Sequence, residues 1–233
     1  MSTVLEELLP SEVAAVEAVG ESLEVELFPE EEQSLGPAVE RRRSEFTTTR
    51  ACARRAFAML DLPPQPVPSG AKGEPVWPAS VVGSITHCEG YGACAIARAD
   101  AFITVGIDAE PNEPLPDGVA AEIASADELL WLAELAPVLP EVHLDRLLYS
   151  AKESVYKAWF PLARRWLDFD AAGVTIDPAA GTFAAQLLAG GPQLEDGPLT
   201  ELSGRWLARD GLIITATALP AVRTTDEQRS GSG

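Results

Sequence analysis

Apolar positions along the chain change period several times, and each change marks an element. Val39, Phe46, Ala53, Phe57 and Leu60 recur at steps of 7, 7, 4 and 3, which is one face of a helix. Gly36-Pro37 stands just ahead, and proline suits a first helical position, so the helix is expected to open there. Arg43, Arg50 and Arg54 fall beside the apolar stripe and Arg42 just across it. On the pattern alone they are arginines snorkelling from the rim of a core face. A stronger helix is predicted over Asp145–Phe160, with Leu144, Leu147, Leu148, Ala151, Val155, Ala158 and Trp159 as its stripe and Pro161 as its end. Between these, residues 112–143 are acidic and rich in proline and alanine, with a helix expected around Ser125–Leu135.

The period of two gives the strands. A short one is expected at Ser22–Phe28, within otherwise loosely patterned residues 1–35. Residues 63–78 hold six prolines and read as a loop. Two β-rich runs, Tyr91–Ala97 and Phe102–Asp108, flank the polar turn Arg98-Ala99-Asp100, a hairpin signal. Further strands are predicted at Gly173–Ile176 and Thr182–Leu187, and a second hairpin at 205–219. That hairpin echoes the first, each being strand, Arg-Asp turn, strand, which suggests two similar α+β halves meeting near residue 108. The tail TTDEQRSGSG is expected to be disordered.

Composition narrows the classes. At 233 residues with 46% apolar content, the chain can bury a core as one large domain or two small ones. No run approaches the roughly 18 apolar residues of a membrane span, and no signal peptide pattern is present, so a soluble, cytoplasmic protein is expected. Cys52, Cys88 and Cys94 are odd in number and form no CxxC pair, against a disulfide framework. With only His87 and His143 beside them, a His/Cys zinc site is also disfavoured. The net charge of −19 argues against nucleic acid. The basic residues nevertheless cluster, at Arg41, Arg42, Arg43, Arg50, Arg54 and Arg55 and again at Arg164 and Arg165, which suggests a local anionic partner.

Three segments carry candidate chemistry. In VGIDAEP (105–111), strand alternation turns Val105 and Ile107 one way and Gly106, Asp108 and Glu110 the other. The two acids are then about 6.6 Å apart on one face. Like charges that close repel unless a cation lies between them, and Mg²⁺ takes such carboxylates together with phosphates. The plainer alternative is a strand end surfacing in solvent. In SAKESVYKAW (150–159), Glu153 lies opposite the apolar stripe, Lys157 stands one turn on, and Lys152 and Tyr156 form the adjoining pair. A solvated face with a Glu–Lys pair of a few tenths of a kcal/mol is the alternative. In GSITHC (83–88), His87 can donate to a phosphate, or be an ordinary core or surface histidine.

Taken together, G-S-I-T-H (83–87), V-G-I-D-A-E (105–110) and S-A-K-E-S-V-Y-K-A-W (150–159) closely resemble the motifs of 4′-phosphopantetheinyl transferases of the larger, monomeric type. RRRSEFTTTRACAR (41–54), GAKGEPVWP (70–78) and RRWLDFD (164–170) extend the likeness over roughly residues 27–220, and GIDAEP and KAWFPL point to the actinobacterial subgroup. The resemblance implies an α+β fold, a pseudodimer of two similar half-domains with the site at their seam. The expected division is 1–107 for the half that contacts the nucleotide, 108–222 for the half with the metal and the Lys-Glu helix, and 223–233 for the tail. It implies transfer of the 4′-phosphopantetheine arm of coenzyme A to a serine of apo acyl or peptidyl carrier proteins of polyketide, nonribosomal-peptide or fatty-acid synthases. The products are the loaded carrier and 3′,5′-ADP, and Mg²⁺, or alternatively Mn²⁺, is the metal.

Residue by residue, Asp108, Glu110 and Glu153 match the family's metal-binding acids. Lys157 matches the pyrophosphate lysine, with Lys152 beside it. His87 matches the contact to the 3′-phosphate, and Arg42 and Arg50 match holders of the nucleotide phosphates. Ser84 and Thr86 belong to the same cofactor-binding motif, Thr86 standing where serine is frequent. Ser69 replaces a basic residue frequent before Gly70, and Lys72 is expected to take over. Glu153 is the first candidate base and Lys152 the second. The carrier is expected beside the site on apolar residues of 112–135 and neighbouring arginines. Two other functions fit the same motifs: a non-catalytic coenzyme A or nucleotide-binding module, and a Mg²⁺-dependent phosphatase.

Overall fold

The computed structural model describes residues 3–20, 22–188 and 190–221; the tail 223–233 lies outside the described residues. Helix α1 (Val4–Leu8) precedes strand β1 (Ala14–Val19), helices α2 (Pro29–Leu35) and α3 (Glu40–Met59), and strands β2 (Val81–Cys88), β3 (Tyr91–Arg98) and β4 (Phe102–Pro111). Helices α4 (Val119–Ile123), α5 (Ala126–Leu135) and α6 (Leu144–Ala163) follow. The chain then forms β5 (Ala172–Asp177), β6 (Thr182–Leu187), the short pair β7 (Gln193–Leu194) and β8 (Gly197–Pro198), and the long pair β9 (Glu201–Arg209) and β10 (Leu212–Pro220). One antiparallel sheet has the order β1-β3-β2 and a second β4-β10-β9-β6-β5. Each sheet carries one twenty-residue helix, α3 or α6, so the architecture is the expected α+β pair.

Several expectations change. No strand forms at 22–28; the edge strand of the first sheet is β1, whose AAVEAV pairs antiparallel with β3. The runs 91–97 and 102–108 do not form a hairpin. Strand β3 is central, with β1 on one edge and β2 on the other, so it has no free edge for β4, which crosses to pair with β10. The first sheet's tight turn is instead Glu89-Gly90, with Gly90 at φ +72°, a conformation glycine adopts without strain. Strand β4 runs unbroken through 107/108, so the division expected there falls inside a strand. Helix α3 opens at Glu40 rather than Pro37, with Val39 as its exposed N-cap. Pro161 does not end α6: the last turn closes through Arg164 N–H on the Phe160 carbonyl at 2.8 Å, with Arg164 left-handed at φ 52°.

The two sheets meet edge to edge at β2 and β4, and the join is made by hydroxyls. Ile107 N–H donates to Ser84 Oγ and Ala109 N–H to Thr86 Oγ1, both at 3.1 Å. These contacts satisfy buried donors of β4 that no ladder reaches. Three apolar clusters surround this seam. One packs α3 on the first sheet through Cys52, Ala56, Phe57 and Ile96. A second packs α6 on the second sheet through Leu147, Leu148, Val155 and Trp159. The third lies beneath both sheets, where Leu5, Leu8 and Leu9 of the N-terminal segment join Val105, Ile107, Ala109 and Ile214. From residue 105 on, its β4 members are the odd-numbered residues, as alternation requires. The even-numbered face meets α6: Thr104 donates to the Ala158 carbonyl at 2.6 Å. A Cβ at Gly106 would lie 2.0 Å from the Ser154 carbonyl oxygen, so the close helix–strand approach needs glycine.

The halves also share a buried device. In the first, Glu31 accepts from Phe28 N–H and Arg54 on Oε2 and from Val67 N–H on Oε1. In the second, Glu128 accepts from Ser125 N–H and Lys152 on Oε2 and from Val174 N–H on Oε1. Each acid therefore caps its own short helix, pins a distant backbone segment and neutralises a cation of the long helix.

Candidate active site

A cleft opens at the seam between α3, β2 and α6. Its lining includes Arg42 and Arg50 from α3, Lys72 from the proline-rich loop, Ser84 and His87 from β2, and Glu153 and Lys157 from α6. Seven of the residues singled out from sequence thus converge from four separate segments. Phe46, Tyr156, Phe160 and Pro161 supply apolar wall between the charges.

The α3 end is built for an anion. Arg50 is buried, its guanidinium 3.7 Å from the Phe46 ring centroid. Among the described residues its donors reach only neutral acceptors: the Val67 carbonyl at 2.8 Å, Thr49 Oγ1 at 3.3 Å and Ser69 Oγ at 3.4 Å. Burial lowers its pKa to about 10, so it stays charged at neutral pH. Glu31 offsets part of the cost of burying this charge, and a phosphate in the cleft would offset more of it. Ser69, beside Gly70, thus serves as one of the acceptors that hold Arg50. Arg42 Nη1 lies 3.5 Å from His87 Nε2, and Lys72 projects from its loop with no hydrogen bond to its ammonium among the described residues. Burial is the main cause holding the His87 pKa below its ordinary value, with Arg42 and Lys157 adding to it. A bound phosphate would oppose both effects.

The α6 end holds the acids. Asp108 is 4% exposed; its Oδ1 receives Lys157 Nζ at 2.6 Å and Thr86 Oγ1 at 3.3 Å. Its Oδ2 is buried without a hydrogen-bond partner among the described residues. The Glu153 pKa is raised to about 7, first by burial and then by repulsion from Asp108 and Glu110, against the pull of Lys157. Burial and Asp108 likewise raise Glu110. An orphaned carboxylate oxygen beside a carboxyl that resists ionising is a site short of positive charge, and a hard dication suits it. The three acids do not, however, form a ready ligand cluster among the described residues. Glu110 is turned to Arg146, 2.9 Å away, and Arg146 also donates to the Glu113 and Pro114 carbonyls.

Two expected site residues take other roles. Lys152 does not face the cleft. Its Nζ donates to the Ile123 carbonyl, Glu128 and the Phe169 carbonyl at 2.8, 2.9 and 2.8 Å. Those three acceptors complete its donors, and it ties α4, α5 and the Phe169 segment to α6. Thr86 is a strut rather than a cleft wall, accepting Ala109 N–H and contacting Asp108 and Lys157. Ser84 does line the cleft, but its hydroxyl is engaged by Ile107 N–H. Arg146 went unremarked in the sequence. Its signal was the helical period: Arg146, Ser150, Glu153 and Lys157 fall at steps of 4, 3 and 4, one face of α6.

Comparison with known proteins agrees with this geometry. Residues 30–97 match the 4′-phosphopantetheinyl transferase N-terminal domain, and residues 104–202 match the 4′-phosphopantetheinyl transferase superfamily. The chain is 51% identical over 208 residues to 4′-phosphopantetheinyl transferase Svp of Streptomyces mobaraensis, covering 89% of this chain and 85% of that one. It is 43% identical over 224 residues to 4′-phosphopantetheinyl transferase Npt of Nocardia iowensis, covering 92% and 99%. It is 44% identical over 196 residues to 4′-phosphopantetheinyl transferase PptT of Mycobacterium tuberculosis, covering 82% and 86%. All three relatives are actinobacterial, as the GIDAEP and KAWFPL segments led us to expect. A two-part family match that reaches into both sheets, on a cleft lined by cations and acids, means that this chain belongs to the 4′-phosphopantetheinyl transferases.

Proposed function

We propose that the phosphopantetheine donor is coenzyme A, bound along the seam cleft with its nucleotide phosphates at the α3 end and its pyrophosphate at the α6 end. The family's activity is transfer of the 4′-phosphopantetheine arm to carrier proteins. The single observation that carries the residue-level reading is the cleft's lining: Arg42, Arg50, Lys72 and His87, with Glu45 and Glu74 among them, lie in one cleft with Glu153 and Lys157. Asp108 and Glu153 would hold a Mg²⁺ ion, with Glu110 joining them on leaving Arg146. The ion would supply Lewis-acid polarisation of the pyrophosphate and shield it from the acids.

The protein's own groups account for the rest. Arg42 and Arg50 fix the nucleotide, which is the positioning that phosphoryl transfer chiefly requires. His87 donates to the 3′-phosphate. Lys157 meets charge growing on the leaving 3′,5′-ADP. The carrier serine oxygen forms a bond to the β-phosphorus, the bond from that phosphorus to the ADP oxygen breaks, and the serine proton passes to a base. Glu153, directly or through a water, is the candidate base. Lys152 is not, because its ammonium is spent on three fixed acceptors.

Carriers of polyketide or nonribosomal-peptide synthases are the proposed partners, docking near α5, where Leu130 and neighbouring Val138 are exposed. A monomer is favoured because one chain supplies both ends of the cleft, and a cytoplasmic setting because its three cysteines are free. No helix among the described residues is long and apolar enough to cross a membrane. Incubation with coenzyme A, Mg²⁺ and a panel of apo carriers, read by mass spectrometry, tests the proposal. A carrier heavier by one phosphopantetheine arm is the expected result. Phosphate release without a carrier would indicate a phosphatase instead, and neither product would indicate a binding module.

A further inference from the structure

Lys157 has two claims on it. It lines the cleft where the pyrophosphate would lie, and its Nζ is also 2.6 Å from Asp108 Oδ1 and 3.4 Å from Thr86 Oγ1. Asp108 is buried and held from behind: Thr86, which donates to it, is itself fixed by Ala109 N–H. Asp108 therefore stays in place while the longer, quarter-exposed Lys157 side chain can swing. An ammonium and a dication cannot share so small a buried carboxylate without strong mutual repulsion. A dication on the free Oδ2 would repel the ammonium on Oδ1 and loosen its hold on Asp108, and a pyrophosphate in the cleft would offer the ammonium another anionic partner.

We infer that Lys157 is a positioning residue that couples the two ligands, standing in for the metal on Asp108 until the pyrophosphate draws it away. The inference rests on the metal and coenzyme A assignments above. It adds that nucleotide-free protein holds metal weakly because its own lysine competes. By linkage, metal then tightens coenzyme A by the same factor that coenzyme A tightens metal. Arg146 on Glu110 repeats the arrangement one step along β4, so both strand acids are engaged by cations of the same helix face.

The test is Mn²⁺ binding to the full chain at one fixed pH, with free Mn²⁺ followed by electron paramagnetic resonance, with and without coenzyme A. Wild type should bind Mn²⁺ weakly alone and much more tightly with coenzyme A. Lys157→Gln and Lys157→Met should bind Mn²⁺ alone about ten-fold tighter than wild type, within the usual range of coupling factors, and gain less from coenzyme A. With chelator both variants should melt earlier than wild type, since Asp108 loses its partner, and Mn²⁺ should restore more of their stability. Arg164→Gln removes a cation at the end of the same helix that touches neither acid, and should leave nucleotide-free binding unchanged. Equal tightening by Arg164→Gln, or none in either Lys157 variant, overturns the coupling while leaving the metal site intact. No Mn²⁺ binding by wild type even with coenzyme A overturns the metal assignment and the coupling with it.

Discussion

At the scale of single residues, some of the site's charges sit where water reaches them poorly. Glu153 is the clearest case. Its folded pKa, about 7, lies above the ordinary 4.5, so between those values the folded chain binds more protons than the unfolded one. Stability from this group is therefore full below about pH 4.5 and lost as pH rises toward 7. In metal-free protein, Glu153→Gln should melt increasingly above wild type as pH climbs through that window, the gap levelling off beyond it; a gap independent of pH would remove the basis for the raised pKa. The same variant, and Asp108→Asn, should keep the fold and lose transfer activity by orders of magnitude. At the other end of the cleft, His87→Ala should raise the KM for coenzyme A more than that for dephospho-coenzyme A, which lacks the 3′-phosphate. Equal changes in both would detach His87 from that group.

At the scale of elements, α6 and β4 decide whether the acids meet at all. Gly106 lets the helix come down onto the strand. Gly106→Ala would place a methyl against the Ser154 carbonyl, and forcing that contact should cost about 1–3 kcal/mol in denaturant unfolding. Because the displaced turn carries Glu153 and Lys157, activity per folded molecule should fall as well, and unchanged activity would mean the approach does not matter to the site. Helix α6 was legible because its residues alternate strongly between a broad apolar stripe and charged positions. Strand β1 was not, since AAVEAV is mostly small and its burial comes chiefly from β3 and α3, which lie far away in sequence. The Tyr91–Asp108 hairpin misled for a related reason. Its turn residues suit a hairpin, but pairing was decided by β3 already having two neighbours. Helical periodicity placed Lys152 near Glu153 correctly, yet it could not show that Glu128 and two carbonyls would be waiting on that side.

At the scale of the whole molecule, the two halves are joined by hydroxyls on one side of the seam and by apolar packing on the other. The N-terminal segment completes that packing: Leu5 is fully buried beneath both sheets, Val4 N–H donates to Glu17 on β1, and Glu7 binds Arg209 on β9. Leu5→Ala should therefore cost about 2–5 kcal/mol and loosen both halves together, seen as one unfolding transition at lower temperature; two separated transitions would show that the halves are not jointly held. The general idea of two α+β halves with a site between them was readable from the echo in the sequence and from the family motifs. The actual correspondence, Glu31 with Arg54 against Glu128 with Lys152, was not, because two of each acid's three partners lie far away in sequence.

That paired bracket has a directional consequence. Salt bridges at protein surfaces can be inverted, the acid and base exchanging places with little effect. Here two of the three partners of each acid are peptide N–H groups, whose polarity no mutation reverses. An ammonium at position 128 would face Ser125 and Val174 donors, and a carboxylate at 152 would face the Ile123 and Phe169 carbonyls. Lys152→Met alone should cost about 3–5 kcal/mol, as for a buried pair that loses one partner. The inverted double variant Glu128→Lys/Lys152→Glu should be no more stable than that, and recovery to near wild type would refute the bracket. The backbone, and not the ion pair, has fixed which end of each half carries the negative charge.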